Sequence, residues 1–362
     1  MENMKISRGG VQSDNVSPSE NKHTKEDLKI MQAWNLETKI QVSQTRILEW
    51  YQKFDDQCYV SFSGGKDSTV LADLTARVCK LRNCKLVLWF SDTGLEYPEI
   101  REHVRTFPKY LEEKYGIEVE LIMDYPKDRK GNRITFKQVI ETYGYPIVSK
   151  EVSRVIYDSR NALKKGNTNS YALKQLNGKY MNPYTGEKSV QYNKEKWKFL
   201  LDAPFKISDK CCAAMKKRPA HKFEKESGLK SITGTMASES SQRKSQWLKH
   251  GCNAFDMNNP QSKPLSFWRE QDVLEYIVKY DVPYASVYGE ILQDDNGKYY
   301  TTLCERTGCV FCGFGCHLEK EPNRFQRLKV THPKLWKYCM KHKEEGGLGM
   351  REVLEFIGVK VE

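Results

Sequence analysis

The chain has 362 residues, of which 39% are hydrophobic, and a formal net charge of +12 at pH 7. This length and hydrophobic share are enough for one large α/β domain that carries an insertion and an appendage. No run approaches the roughly 18 to 20 apolar residues that a membrane-spanning helix needs, so the sequence excludes that class of protein.

The N-terminal residues 1–25 are polar and contain no apolar stretch. They predict a disordered tail and no secretory signal. Eleven cysteines in such a chain indicate a reducing compartment, so we expect a cytoplasmic protein. A helix is predicted next, over residues 26–54, with Thr24 and Asp27 as its N-terminal cap pair.

A glycine-rich loop follows between an apolar run, residues 58–62, which predicts a buried strand, and a helical stretch that begins near Thr69. Its two glycines let the backbone approach a ligand, and the first turn of the helix offers free N–H groups, which together favour an anion. Lysine adds a point charge and serine a hydroxyl donor, so phosphate, pyrophosphate or sulfate is the expected guest. The residues of this loop are Ser63, Gly64, Gly65, Lys66, Asp67 and Ser68.

Strand and helix patterns then alternate, which predicts a parallel, Rossmann-like doubly wound α/β sheet. Residues 85–90 form a continuous apolar run, residues 97–115 read as a helix, and residues 118–123 as a third strand. Asp92, Thr93 and Gly94 come directly after the second strand. Because such sheets bind ligands at the carboxyl ends of their strands, we expect these three residues to line a nucleotide site.

A basic insertion interrupts this pattern over residues 126–201, with 16 Lys or Arg against 6 Asp or Glu. It therefore carries +10 of the net +12, and seven tyrosines are interleaved with its charges. Basic residues mixed with aromatics suit a nucleic acid, and they also suit a solvated surface segment that binds acidic partners weakly. Several Gly-Asn and Pro-containing turns predict a partly structured excursion from the sheet.

The regular pattern resumes with a strand at residues 230–235 and a helix at residues 267–280. From residue 291 the chain is rich in cysteine and then in basic residues, which predicts a helical C-terminal subdomain over residues 291–362. The nucleotide-binding domain is accordingly predicted to occupy residues 26–290.

Two groups of cysteines suggest a metal centre. The first is Cys211-Cys212, and the second is a C-x4-C-x2-C-x3-C set formed by Cys304, Cys309, Cys312 and Cys316. A C-x2-C pair can close on one metal across a turn. On chemistry alone, four thiolates suit zinc or an iron–sulfur cluster about equally.

The S-G-G-K-D-S loop resembles the PP-loop of the ATP pyrophosphatase superfamily, which includes the adenylyl-sulfate and phosphoadenylyl-sulfate (PAPS) reductases. Five further segments resemble that reductase family in the same order along the chain. They begin at Asp92 (D-T-G-x-x-F-P-E), Cys211 (C-C-x-x-x-K-x-x-P), Thr233 (T-G-x-x-x-x-E-S-x-x-R), Pro264 (P-L-x-x-W-x-x-x-D-V) and Cys309 (C-x-x-C).

The resemblance implies an oxidoreductase or transferase of sulfur metabolism that binds an adenine nucleotide, either ATP, with or without Mg²⁺, or adenylyl sulfate. Lys66, Asp67 and Arg243 would act on the anionic group of that nucleotide. The resemblance also implies a [4Fe–4S] cluster on Cys211, Cys212, Cys309 and Cys312. A local quartet in which Cys304 and Cys316 replace the adjacent pair is the alternative, as is zinc.

The sequence departs from the reductases at its end, which lacks their E-C-G-x-H segment with its nucleophilic cysteine. Cys339 is the remaining downstream thiol, and flanking lysines favour its thiolate. Two other functions stay open: adenylation and thiolation of tRNA or DNA, and a non-catalytic protein that binds nucleic acid or another partner. A thiol reductant or a sulfur donor is an expected partner of either enzyme.

Overall fold

The structure, a computed structural model, describes residues 21–128 and 130–362. Most of the predicted N-terminal tail therefore lies outside the described residues. In the described part, no helix is both long and apolar enough to cross a membrane.

Helices and strands alternate from residue 36 to residue 124. The helices are α1 (Lys25–Ala33), α2 (Leu36–Lys53), α3 (Lys66–Arg82), α4 (Pro98–Tyr115), α5 (Phe136–Thr142), α6 (Lys150–Lys164), α7 (Tyr171–Leu176), α8 (Lys210–Cys212), α9 (Arg218–Ser227), α10 (Ser241–His250), α11 (Glu270–Lys279), α12 (Arg324–Thr331), α13 (Pro333–Met340) and α14 (Met350–Phe356). The strands are β1 (Cys58–Ser61), β2 (Leu86–Ser91), β3 (Val119–Asp124), β4 (Ile147–Val148), β5 (Lys230–Ile232), β6 (Asn253–Ala254), β7 (Gln261–Ser262), β8 (Ile291–Gln293), β9 (Tyr299–Thr301) and β10 (Gly313–Phe314).

The central sheet has six strands in the order β3-β2-β1-β5-β7-β6. All neighbours run parallel except β6, which is antiparallel to β7. β1 and β2 are continuous apolar runs because helices cover both faces of the sheet. This arrangement confirms the predicted Rossmann-like α/β fold.

A first apolar cluster joins this sheet to the helices around it. Ile47 and Trp50 of α2, Leu71 of α3 and Trp268 are all fully buried in this cluster. The indole N–H of Trp268 donates to the Ser43 hydroxyl at 2.9 Å, so this buried polar group keeps a partner.

A second apolar cluster joins the basic insertion to the C-terminal segment. Val155 and Ile156 of α6 lie in it together with Leu328 of α12 and Leu354 of α14. β4 of the insertion pairs in parallel with β10, and the Tyr145 hydroxyl donates to the Leu348 carbonyl at 2.6 Å. The insertion is therefore a folded part of this second core, and the prediction of a partly structured excursion understated its order.

Element boundaries match the predictions closely in the sheet. The predicted helix over residues 26–54 is two helices, because the chain breaks at Trp34 and Asn35, where the Asn35 side chain caps α2. Thr24 and Asp27 form the predicted cap of α1, with the Asp27 N–H donating to the Thr24 hydroxyl at 3.0 Å.

Candidate functional site

The glycine-rich loop joins β1 to α3 at the carboxyl end of the sheet. Gly64 has φ +74°, and a Cβ there would lie 2.7 Å from Val104 Cγ2 on α4. Gly65 is the N-terminal cap of α3 and provides no side-chain cap. The Ser63 N–H donates to the Ser68 hydroxyl at 3.2 Å, which closes the loop on itself. The loop thus has the close backbone approach and the free helix start that an anion cradle needs.

Lys66 and Asp67 lie at the first turn of α3. The Lys66 ammonium is 5% exposed, forms an ion pair with Glu270 at 2.6 Å and donates to the Glu305 carbonyl. One carboxylate oxygen of Asp67, Oδ1, is buried without a hydrogen-bond partner. Burial raises the pKa of Asp67 to about 6, against the opposing effect of Lys66. An unpartnered, partly protonated carboxyl in this position is typical of a functional site.

A segment from the C-terminal part of the chain lies over the loop; we call residues 305–308 the strap. The Thr307 hydroxyl hydrogen-bonds the Tyr288 hydroxyl at 2.6 Å, and the Tyr288 hydroxyl accepts from the Lys66 N–H at 3.3 Å. A Cβ atom on Gly65 would lie 3.3 Å from the hydroxyl oxygen of Tyr288 and 3.4 Å from the hydroxyl oxygen of Thr307. These hydroxyls lie against the loop, so a bound phosphate would have to displace them.

Asp92, Thr93 and Gly94 follow β2, as predicted. Asp92 is 8% exposed and forms ion pairs with Arg101 at 2.8 Å and Arg133 at 3.3 Å. The Gly94 N–H donates to Asp92 at 3.2 Å. These contacts shape the turn rather than leave free ligand groups, and Arg133, from the insertion, is a neighbour that sequence reasoning missed.

A cavity of about 260 Å³ opens at the carboxyl ends of β1 and β2. Its lining includes Ser63 of the glycine-rich loop, Lys216 and Lys217 of the segment after Cys212, and Thr307 and Gly308 of the strap. Trp89, Phe90 and Ile100 supply an apolar wall. An apolar wall with a few polar groups at one end is the usual form of a small-ligand site.

Four of the predicted metal ligands converge next to this cavity. Cys211 and Cys212 lie in α8, and their sulfurs are 3.9 Å apart. The hydrogen bond to Cys212 and burial raise the pKa of Cys211, and Cys312 and Cys309 lie close enough that negative charge on either would raise it further. A π-helical turn, Ala213–Lys217, follows the adjacent pair. Such turns are rare and are frequently found at functional sites.

Basic side chains surround these sulfurs. The hydrogen bond from Cys211 lowers the pKa of Cys212 to about 6, and the positive charges of Lys150, Lys216 and Lys217 act in the same direction. Burial alone would lower the pKa of the Lys216 ammonium, but Cys309 and Glu96 outweigh it and raise that pKa. The surroundings therefore stabilise negative charge on the sulfurs.

The four thiols are suitable ligands for a metal centre by their chemistry. Their sulfur atoms, however, do not converge on a common point. Within residues 21–128 and 130–362, no group of three or more His, Cys, Asp or Glu is arranged to hold a metal ion. Four cysteines, two of them on a C-x2-C turn, with lysines nearby, are the donor set that an iron–sulfur cluster or zinc takes. Rotation of the side chains of Cys211, Cys212, Cys309 and Cys312 is the change that such a centre requires.

The other two cysteines of the local quartet are placed differently. The Cys304 thiol contacts the Arg306 carbonyl at 3.0 Å, and Lys66 of the glycine-rich loop is among the charges that act on it. Cys316 is 1% exposed, donates to the Gly313 carbonyl at 3.0 Å and lies close enough to Cys312 for that thiol to act on it. Cys304 thus belongs to the cover of the loop, which argues against a quartet that contains it, whereas Cys316 lies beside the C-x2-C pair.

Two predicted catalytic residues lie outside the cavity. Arg243, on α10, forms an ion pair with Glu239 and lines a separate cavity of about 120 Å³. Cys339 is fully buried in the second apolar cluster, and burial raises its pKa far above the ordinary thiol value. Burial of this kind disfavours the thiolate, and Cys339 lies in the second core rather than at the cavity, so its catalytic role stays a prediction.

Comparison with known protein families identifies the domain. The phosphoadenosine phosphosulfate reductase domain matches residues 57–180 and 167–313, which together span more than half of the chain. The chain belongs to this family. Membership agrees with the resemblance found in the sequence, and proteins of this family bind adenine nucleotides.

A solved structure is also similar, the U34-tRNA thiolase NcsA from Methanococcus maripaludis with its [4Fe-4S] cluster. It shares 16% sequence identity with this chain at a TM-score of 0.32, over 68% of this chain and 66% of the thiolase. The match thus spans slightly less than two thirds of the thiolase. No curated protein matches this chain.

Proposed function

We propose that this PAPS reductase-family protein is an enzyme of sulfur metabolism that handles the phosphosulfate or phosphoanhydride bond of an adenine nucleotide. One observation carries the proposal: a single cavity is lined by Ser63 at the start of the glycine-rich loop, by the lysines that follow Cys212 and by the strap that precedes Cys309. A nucleotide in this cavity has its anionic group at Ser63–Ser68 and its apolar base near Phe90. Its reacting end then lies beside the cysteines.

The chain's own residues supply electrostatic stabilisation of the reacting group. Ser63 of the glycine-rich loop and Lys216 and Lys217 line the cavity from two sides. The Lys66 ammonium, which pairs with Glu270, would reach the anion by exchanging that carboxylate for it. Preorganised donors of this kind commonly provide the largest part of catalysis in such transfers. Asp67, whose pKa is raised to about 6 by burial, is placed to hold or release a proton at this group or to bind Mg²⁺.

Cys211, Cys212, Cys309 and Cys312 are the proposed ligands of a [4Fe–4S] cluster, with zinc as the alternative. When bound, the cluster supplies electron transfer or a sulfur-binding iron near the nucleotide. The lysines around Cys212 offset the negative charge that four thiolates bring.

A second candidate is ATP-dependent transfer of sulfur to tRNA or DNA. The burial of Cys339 favours it, because sulfate reduction through a thiosulfonate needs an accessible thiol. The positive charge of the insertion favours it as well. A third, non-catalytic function would keep nucleic-acid binding without any turnover of nucleotide.

Calorimetry with adenylyl sulfate and with ATP plus Mg²⁺ tests nucleotide binding. We expect one of the two to bind in the micromolar range, and Lys66→Ala to weaken that binding at least tenfold because a buried cation on the anion is lost. Lys80→Ala, an exposed lysine at the other end of α3, is the matched control. If Lys66→Ala binds like the parent protein, the loop is not the nucleotide site.

Anaerobic purification with iron, sulfide and zinc analysis tests the cluster. About four irons per chain are expected, with loss in Cys212→Ser and Cys309→Ser. Cys304→Ser is the control that should keep its iron, because this thiol lies over the glycine-rich loop. One zinc without sulfide would contradict the cluster and leave the cysteines a structural role.

A further inference from the structure

Two basic side chains lie on the exposed face of α6, in a row that begins near the cysteines and leads away from them. Lys150 and Arg154 are four residues apart and exposed, so they lie on one face of the helix about 6 Å apart along its axis. Lys150 lies close enough to Cys212 for its positive charge to act on that thiol. Neither Lys150 nor Arg154 forms an ion pair with another described residue. This strip, Lys150 and Arg154, leads from the cysteine cluster into the insertion.

An open cavity of about 450 Å³ lies at the far end of the strip. Arg154, Asp158, Ser170, Tyr171 and Gln175 line it. Gln175 is 3% exposed and presents its side chain to the cavity from α7. The volume falls within the range of small-ligand pockets, and is large enough for one nucleoside.

An exposed tyrosine forms one wall of this cavity. Tyr171 is 58% exposed, and its ring centroid lies 4.7 Å from that of Tyr180, which in turn lies 5.6 Å from that of Tyr192. These edge-on contacts pack the ring of Tyr171 against Tyr180, while more than half of its surface stays exposed. A fixed aromatic ring next to an unpaired arginine is a stacking platform for a base.

A carboxylate in the same cavity indicates which nucleic acid fits. Asp158 is exposed and faces the cavity together with Ser170. A carboxylate repels phosphate, but it accepts a hydrogen bond from a ribose hydroxyl. The 2′-hydroxyl is the group that distinguishes RNA from DNA at a binding site.

We propose that this cavity binds one nucleotide of a single-stranded RNA segment. The base stacks on Tyr171, the ribose 2′-hydroxyl donates to Asp158, and the adjoining phosphates contact Arg154 and Lys150. The strand then runs toward Cys212, at the edge of the nucleotide cavity. The RNA site is inferred from these contacts alone. It extends the second candidate function, sulfur transfer to a nucleic acid, because it gives the RNA that would accept the sulfur a place to bind.

Fluorescence anisotropy with a labelled 12-nucleotide single-stranded RNA of mixed sequence, without adenine nucleotide, tests the site. We expect Tyr171→Ala to weaken binding about tenfold, the usual effect of losing one stacked base. Tyr184→Ala, which removes a 92% exposed tyrosine outside the cavity, should leave binding unchanged. Arg154→Ala should lower the slope of log affinity against log salt by about 0.7.

A DNA strand of the same sequence and a poly-glutamate competitor separate the remaining interpretations. RNA should bind more tightly than DNA, and Asp158→Ala should remove most of that preference. Equal binding of RNA and DNA by the parent protein overturns the RNA assignment, and equal competition by poly-glutamate overturns the nucleic-acid assignment. Adenine nucleotide binding, measured on the same samples, shows whether the RNA site fails alone or together with the proposed function.

Discussion

The two adjacent glycines of the loop, Gly64 and Gly65, occupy positions that exclude a side chain for different reasons. Gly64 has a positive φ and no room for a Cβ against Val104, whereas Gly65 has φ −77°, and a Cβ there would meet three hydroxyl oxygens at 3.3 Å or more. The fold requires the first glycine, and we expect close approach of a ligand to require the second. Sequence reasoning recognised both as one motif but could not separate them, since φ and the position of α4 are properties of the folded chain.

Gly64→Ala should lower the free energy of unfolding by about 1–3 kcal/mol, because it combines a left-handed backbone with a steric overlap. Urea denaturation measures the change. Gly65→Ala is the matched control and should keep most of the stability while weakening nucleotide binding. Equal destabilisation by both variants would contradict this distinction.

Asp67→Asn should stabilise the protein at neutral pH. Burial raises the pKa of Asp67 from 3.8 to about 6, so between these values the folded state holds a proton that the unfolded state releases. The carboxyl therefore costs no stability below about pH 4, and its cost grows as the pH rises through 6. We expect Asp67→Asn to raise the free energy of unfolding by about 1–3 kcal/mol at pH 7.5.

The same variant should have little effect on stability at pH 4, which thermal unfolding at the two pH values can check. An equal gain at both values would assign the effect to something other than the carboxyl charge.

At the scale of elements, the strap connects the two candidate sites. It hydrogen-bonds the Lys66 side chain through the Glu305 carbonyl and Tyr288 through the Thr307 hydroxyl, and Cys309 follows it directly. With the strap lying over the loop, the hydroxyl groups of Tyr288 and Thr307 occupy part of the anion site. A nucleotide therefore binds only the fraction of molecules whose strap is open, which lowers its apparent affinity.

Thr307→Val should raise nucleotide affinity about twofold to tenfold, because it removes one hydrogen bond that holds the strap closed without changing its shape. Thr106→Val, at an exposed site on α4, is the control. Calorimetry measures both, and weaker binding by Thr307→Val would mean that this hydroxyl contacts the nucleotide directly.

The sheet and the loop were predictable from sequence because short-range patterns determine them. Apolar runs identified β1 and β2, and the spacing of Ser63 to Ser68 identified the loop. Tyr288 and Thr307 were not predictable, because they reach the loop from residues more than 200 positions away and belong to no motif. Arg243 lines a separate cavity and Cys339 lies in the second core. The motif that pointed to Arg243 and the flanking lysines that pointed to Cys339 contain no information on where these residues lie in the folded chain.

At the scale of the whole molecule, the insertion and the C-terminal segment form one core. Their association was not predicted from sequence, because residues 126–201 and 291–362 look independent when read along the chain. The contact of Tyr145 with Leu348 and the pairing of β4 with β10 join them. The second core also holds the cysteines in place beside the sheet.

Leu354→Ala should destabilise this core by about 2–5 kcal/mol, because Leu354 is fully buried on α14. Hydrogen exchange should become faster in α6 than in β1 and β2, since α6 belongs to the same core. Leu81→Ala, at a 78% exposed position on α3, should change neither. Uniform acceleration across the chain would show that the two cores unfold together.

The shared second core also affects how the chain folds during synthesis. β4 of the insertion is complete once residue 148 has left the ribosome, but its partner strand β10 begins only at residue 313. At roughly 5–20 residues per second, the ribosome needs on the order of ten seconds to make the intervening segment. During that time the edge of β4 has no partner strand, so the nascent protein is a natural client for chaperones well before it can bind its first nucleotide.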